Sequence, residues 1–342
     1  MSILRQRGSD MWLGAVGVVV AAAIFGMVAS DYQLTIGFTV GAMAVSAIGL
    51  TVVVGRAGQL ALGQAGFMAI GAYSVAYGTT KLGLPFIVAL GLGIVLALLL
   101  GLVVGWTALR LRGNYLAVAT LAVGAMVYGL LNVDGPLGGS GGILGIPPLS
   151  LFGKQFLTPM DAYVFIWVVV ALSLASCWLY LRGRAGRELN ALRDDDLAAA
   201  SVGVNNTFRK LQAFGVSAIF GAVAGGIMAA QQTVIDPSTF TPTISFQIFL
   251  MVVVGGLGSI GGAVLGAAIV IWLVQLTPGT GDAAYVALGA MVVLLMGVLP
   301  NGVAGAVSAG LARLRNRGSD RDRDRTEAPT GSDAVAGSEV AL

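Results

Sequence analysis

The sequence predicts an all-α polytopic membrane protein of about ten transmembrane segments, on three observations. Of the 342 residues, 57% are hydrophobic and only 10% are charged, with a mean hydropathy of +0.89. A soluble domain carries about a quarter charged residues. Apolar runs recur along the chain between short polar turns, several of them near the ~20 residues a helix needs to cross a bilayer. The 51 glycines fit the same class, because small residues let helices approach closely where lipid supplies no hydrophobic drive between them.

The segments follow in order. Arg5 and Arg7 precede an apolar run from Met11 to Ser30. It exceeds the ~7–15 residues of a signal core and has only a weak cleavage site, so a retained helix is expected. Leu34–Val54 is the second span, Gln64–Thr80 the third and Pro85–Leu109 the fourth, with Lys81, Leu82 and Gly83 turning between the last two. Asn114–Leu131 is the fifth. A Gly- and Pro-rich stretch follows and reads as irregular surface backbone. Ala162–Leu181 is the sixth span, and Leu211–Gln231 the seventh. Ile244–Val254 and Ala263–Leu276 are apolar but short, and GGLGSIGG lies between them. Ala284–Leu299 is the last. From Arg313 the chain is polar and of mixed charge, which predicts a disordered tail.

The arrangement divides into residues 1–33, an N-terminal helix and first outer turn; 34–302, the main body; and 303–342, the tail. With the N-terminus inside, every lysine and arginine except Lys81 and Lys154 falls on the inner side. That distribution predicts cytoplasmic N- and C-termini. A parallel repeat is also suggested: Leu50, Val52, Val53, Val54, Gly55, Gly58 and Gly66 recur 200 residues later as Leu250, Val252, Val253, Val254, Gly255, Gly258 and Gly266.

One polar stretch, Leu181–Lys210, interrupts the apolar pattern, with residues 182–210 placed on the cytoplasmic side. It is too charged for lipid. Asp195 is placed to cap a short helix through LAAASV and Gly203 to stop it. Leu189, Leu192, Leu197, Ala199 and Ala200 give the stretch an apolar side with nothing of its own to cover it. A passive connecting loop needs neither caps nor such a side, so a docking element is expected.

Several chemistries are excluded. There is no histidine and one cysteine, Cys177, within an apolar run, where it reads as a packing residue. No intrachain disulfide, zinc or Cys–His site can form, no metal site is expected, and no catalytic residues are assigned. The predicted spans hold no Asp, Glu, Lys or Arg, so the carboxylate of an ion-coupled carrier is missing. No P-loop motif is present. Any energy must come from another protein pressing on the polar segment. Polar residues in or beside spans are the pathway candidates: Gln59, Gln64, Asn114, Tyr115, Thr120 and Gln247, with Ser74 and Asn132 beside them. Interhelical hydrogen bonding is the competing role for each. Gly55, Gly58, Gly66, Gly255, Gly256, Gly258, Gly261 and Gly262 are candidate helix-packing positions.

Five motifs carry a resemblance: GRAGQLALGQAGFMAIGAY from Gly55, LRGNYLAVATLA from Leu111, GGSGGILGIPPLSLFG from Gly138, GRAGRELNALRDDDLAAASVGVN from Gly183, and MVVVGGLGSIGGAVLGA from Met251. With these the chain, from about Leu34 to Gly302, resembles the permease subunits of bacterial ABC importers for branched-chain amino acids, and the longer of the two paired permeases in particular. The resemblance implies a fold similar to vitamin B12-type importer permeases. It also implies a plasma-membrane location, no cofactor of the chain's own, and ATP bound by partner subunits. The implied partners are a second related permease, two ATPase subunits and an extracytoplasmic binding protein. It places ATPase coupling on Arg184, Arg187, Leu192, Arg193, Asp195, Asp196, Leu197, Ala198, Ala199 and Gly203. The importer pattern E-A-A-x-x-x-G is met at Ala198, Ala199 and Gly203, but its Glu position holds Leu197, with Asp196 adjacent. Related permeases carry urea or short amides, and a self-sufficient channel for a neutral solute is a further alternative.

Overall fold

A computed structural model describes residues 28–275 except 109, 112, 152, 153 and 157, together with 17, 22, 25, 26, 289, 302, 303 and 305. Apart from those isolated positions, the expected first span, the last span and the tail lie outside the described residues. The fold is an all-α helical bundle, with two-residue strand pairs in its loops. Among the described residues, six helical stretches are long and apolar enough to cross a membrane, and Ile260–Gln275 is a shorter apolar helix.

Helix α1, Asp31–Thr51, is the centre of the bundle. Before it, Gln33 Oε1 accepts from the Ser30 backbone N–H at 3.0 Å. The helix is apolar all round, as a core helix must be, and it packs against several later helices. It runs into a π-helical turn, Val52–Arg56, closed by the Ala57 N–H donating to the Val52 carbonyl at 3.0 Å. Helices α2, Gln64–Thr80, and α3, Phe86–Ala108, follow, and then α4, Asn114–Leu131. Helix α5, Pro159–Arg182, begins at the Thr158 cap, whose Oγ1 accepts from the Asp161 N–H at 3.1 Å. The polar segment forms two short helices, α6, Arg184–Asp194, and α7, Asp196–Ser201.

Helix α8, Asn206–Gln231, packs against α1, α2 and α3. Helices α9, Pro242–Gly255, and α10, Ile260–Gln275, form a hairpin, and α10 also lies along α1. The bundle's two ends are distinct. At one end β1, Ile143–Leu144, pairs antiparallel with β4, Val234–Ile235, joining the loop after α4 to the loop after α8. Strands β2, Ser150–Leu151, and β3, Lys154–Gln155, pair nearby in sequence. At the other, basic end the π-turn, α6 and the α9–α10 loop meet.

Two expectations change. The seventh span was placed from Leu211, but its helix begins at Asn206, so Arg209 and Lys210 lie within it. Neutralising partners at the helix start make that possible. The 200-residue repeat does not extend to hairpin geometry. Helices α9 and α10 pack along one another, with Gly255 against the Gly262 carbonyl, whereas α1 and α2 barely touch. The π-turn and the irregular residues 57–63 separate α1 from α2, while only residues 256–259 join α9 to α10.

Candidate functional site

The polar segment is built from local signals. In α6, Gly186, Leu189 and Leu192 are buried at helical spacing, while Arg184, Arg187 and Asp194 face outward. The chain then breaks into an extended conformation at Asp195 (φ −159, ψ 117). Asp195 Oδ1 accepts from the N–H groups of Leu197 at 2.7 Å and Ala198 at 3.0 Å, capping α7. These backbone bonds, from Ala198 foremost and then Leu197, hold the Asp195 carboxyl below its ordinary value of 3.8.

Helix α7 ends in a Schellman arrangement: the Val204 N–H reaches the Ala199 carbonyl at 3.1 Å and the Gly203 N–H reaches that of Ala200 at 3.0 Å. Gly203 sits at φ +84, a conformation that a Cβ would strain. Asn205 then caps α8, its Oδ1 accepting from the Phe208 N–H at 3.0 Å.

Ion pairs fasten this unit. Lys210, only 7% exposed, places Nζ 2.7 Å from Asp196 Oδ2. Asn206 Nδ2 donates to the Asp196 carbonyl at 2.6 Å. Glu188 accepts from Arg209 Nε at 2.5 Å and from Arg184 Nε. Hydrogen bonds from Arg209 first, and then from Arg184, hold the Glu188 carboxyl below its ordinary value of 4.5.

The candidate coupling residues therefore divide. Leu192 and Ala199 are buried, while Arg193, itself exposed, donates from Nη1 to the Gly55 carbonyl at 2.6 Å. Arg184, Arg187, Asp195, Ala198 and Gly203 are exposed, and Asp196 is half-buried. Leu197 is 77% exposed and Val202 76%, with Phe208 exposed nearby in the sequence. These apolar side chains stand beside charged ones on a rigidly capped surface.

The pathway candidates are scattered. Gln64 is buried, with Nε2 donating to the Ser46 and Ser217 carbonyls, both at 3.2 Å. Its Oε1 accepts from Ser217 Oγ at 2.9 Å. Ser245 Oγ accepts from the Ala65 N–H at 2.9 Å, and Thr120 Oγ1 accepts from the Leu62 N–H at 2.8 Å. Together these bonds tie α1, α2, α4, α8 and α9. Gln247 is buried on α9, and Gln59 is half-buried, donating to the Ala57 carbonyl at 3.3 Å.

Asn114 and Tyr115 are exposed at the start of α4 and do not join Gln64. A cavity of about 10 Å³ lies between Gln64, Phe67, Thr120 and Phe214. It suits one water, far from the ~300 Å³ of a small-molecule pocket. Sequence reasoning missed Ser46, Ser217 and Ser245. Small hydroxyl residues inside apolar spans were the available signal.

The glycine positions behave unequally. A Cβ on Gly55 would meet the Gly258 nitrogen at 2.5 Å, so the π-turn and the α9–α10 loop touch through their backbones. Gly66 lies against Gly124, and Gly58 against the stem of Arg193. Gly256 takes φ +109 in the turn after α9, while Gly261 and Gly262 fall in the first turn of α10, Gly262 buried.

Among the described residues, a bundle of membrane-length helices whose charged side chains collect at the helix ends has the architecture of an integral membrane protein. The family model described as branched-chain amino acid transport system / permease component matches residues 32–299, and the chain belongs to that family. It is 35% identical over 280 residues to the high-affinity branched-chain amino acid transport system permease protein LivM of Salmonella typhimurium, covering 75% of this chain and 66% of that protein. Against LivM of Escherichia coli the identity is 34% over the same shares. LivH of Escherichia coli, named as a permease protein of the same system, is 29% identical over 152 residues, 44% of this chain and 48% of its own. The chain thus spans about two thirds of the length of the LivM relatives. No solved structure matches.

Proposed function

We propose that this chain is a transmembrane permease subunit of an ATP-driven importer for branched-chain or other small hydrophobic amino acids. It takes no catalytic part itself, and ATP is bound by separate subunits. The observation that carries the reading is the exposed Leu197 and Val202 on α7 and its C-cap, a helix closed at both termini and pinned to α8, in a chain that belongs to the permease family. A partner surface that closes on α7 moves α6 and α7 as one body, and the continuous α5 and α8 carry the displacement into the bundle. Gln64 and its serine partners keep the helices together as they rock.

In this reading the basic end faces the cytoplasm of a bacterial plasma membrane, with both termini on that side. A second related permease completes the path, since the cavity beside Gln64 is too small for an amino acid. Two ATPase subunits dock on the basic end, and an extracytoplasmic binding protein delivers substrate to the β1–β4 end.

The test is uptake of radiolabelled leucine, isoleucine, valine and urea into liposomes that contain either this chain alone or the assembled complex. The expected result is branched-chain amino-acid uptake by the complex only, dependent on ATP. Flux through the chain alone would instead identify a self-sufficient channel, and urea uptake by the complex would reassign the substrate.

A further inference from the structure

Arg193 stands apart from the other residues of the polar segment. It occupies the last turn of α6, yet its guanidinium turns back toward the bundle. Its stem crosses Gly58: a Cβ placed there would lie 3.1 Å from Arg193 Cγ and 3.4 Å from its Cα. Its Nη1 lies 2.6 Å from the Gly55 carbonyl oxygen and 3.5 Å from where a Cβ on Gly258 would sit. One side chain therefore bonds the π-turn that ends α1, runs beside the turn that precedes α2, and ends near the loop between α9 and α10.

The acceptor is as informative as the donor. Gly55 belongs to the π-turn, where the Ala57 N–H bonds the Val52 carbonyl and the Gln59 N–H the Val53 carbonyl, each at 3.0 Å. Such widened turns frequently mark functional positions in helices. A guanidinium–carbonyl bond is charge-assisted and about twice as strong as a neutral one. Gly55 in turn abuts Gly258 through backbone atoms. A displacement of α6 that pulls on Gly55 reaches the α9–α10 loop with no side chain between them to absorb it.

We propose that Arg193 is a positioning residue that passes movement of α6–α7 to the end of α1 and to the α9–α10 loop together, and does not hold the partner. This rests on the reading of α6–α7 as the coupling segment. Beside the contact at 3.5 Å between Arg56 Nη1 of the π-turn and Asn190 Oδ1 of α6, two routes leave that segment: the covalent one through α5 and α8, and the Arg193 one into the central helix. The second lets the core helix and the α9–α10 hairpin move in step with the outer helices.

The test uses the full assembled transporter in liposomes, with Arg193→Gln, Arg193→Lys and Leu197→Asp compared with the unmodified chain. Three quantities are read: ATPase subunits retained per permease, ATP hydrolysed, and amino acid taken up per ATP. For Arg193→Gln the expected result is normal retention and continued hydrolysis, with uptake per ATP down at least ~5-fold, the lower end of typical coupling factors. Arg193→Lys, which keeps a cationic donor, should recover part of that loss. Leu197→Asp should instead lose the ATPase subunits.

Loss of ATPase subunits in Arg193→Gln would make Arg193 a docking contact and overturn the proposal while leaving the coupling segment standing. Unchanged uptake per ATP in Arg193→Gln, or no recovery with Lys, would also overturn it. Normal retention and uptake in Leu197→Asp would sink the coupling reading itself, and the proposal with it.

Discussion

Lys210 Nζ lies 2.7 Å from Asp196 Oδ2, so the first residue of α7 is tied to the second turn of α8 by an ion pair whose lysine end is nearly buried. The pair folds the polar segment back on itself and presents α7 in one orientation. A lysine that enters a helix of spanning length is tolerated because its charge is met there.

Reversing the acid tests this relationship. Asp196→Lys puts a second cation beside Lys210, and the expected cost is about 1–3 kcal/mol, between an exposed and a fully buried pair. Uptake should be abolished while membrane insertion, followed by the amount of protein in the membrane fraction, is retained. The swap Asp196→Lys with Lys210→Asp should recover a measurable part of the activity. Wild-type uptake by the single variant would remove the pair from the mechanism.

Acid should loosen the same segment in a defined window. Asp195 and Glu188 are held below their ordinary values of 3.8 and 4.5, the first by the Ala198 and Leu197 N–H groups and the second by Arg209 and Arg184. Folding favours their ionised forms, so their stabilisation is complete above those values and is lost as pH falls below them. Thermal midpoints in detergent should be flat from about pH 7 to about pH 5 and fall below about pH 4. Asp195→Asn should show a smaller fall, and an equal one would exclude the cap as a source.

The contact between Gly55 and Gly258 predicts a contrast between two alanine substitutions. At Gly55 a Cβ would meet backbone atoms of Gly258 at 2.5 and 2.7 Å, and nothing flexible can yield. Gly55→Ala should lower the thermal midpoint and uptake together. At Gly129 a Cβ would meet nothing within 4 Å. Gly129→Ala, in an exposed helical position, should be neutral or stabilising by up to ~1 kcal/mol. Equal midpoints for the two variants would mean that the α1 and α9–α10 ends do not bear on one another.

Gln64 gives a stability prediction. Its side chain meets Ser46 and Ser217 through both its donor and its acceptor. Gln64→Leu keeps the volume approximately, removes both donations to the helix carbonyls and takes the acceptor from the Ser217 hydroxyl, at a cost of about 1–3 kcal/mol. The measurement is thermal unfolding of the purified chain in detergent, with Ser217→Ala as the companion. If Gln64 and Ser217 form one interaction, the double variant should cost less than the sum of the singles. Additive costs would mean that they act separately.

Much of the architecture was legible in the sequence because it is local. Asp195 and Gly203 bound α7 where their side-chain and backbone preferences require, but of the apolar side expected to lie uncovered, Leu189, Leu192 and Ala199 are buried against this chain's own bundle, and Leu197 and Ala200 stay exposed. The spans read as apolar runs agree with the helices wherever both ends are described, except where a cap or an ion pair extends them, as at Asn206. Thr120 and Gln64 were picked out as polar residues among apolar ones, but their role as hydrogen-bonding links depends on Leu62, Ser46 and Ser217.

What the sequence settled alone, then, is the class of solvent each stretch can occupy and the places where a helix must start or stop, since hydropathy and capping act within a few residues. Tertiary structure alone decided which helix is central and which glycines meet. It also decided that Arg193 turns to a carbonyl 138 residues away in sequence and that Gln64 joins Ser217 across 153. Those partners are chosen by packing between helices, and a hydrogen bond between distant residues leaves no periodic trace in either stretch.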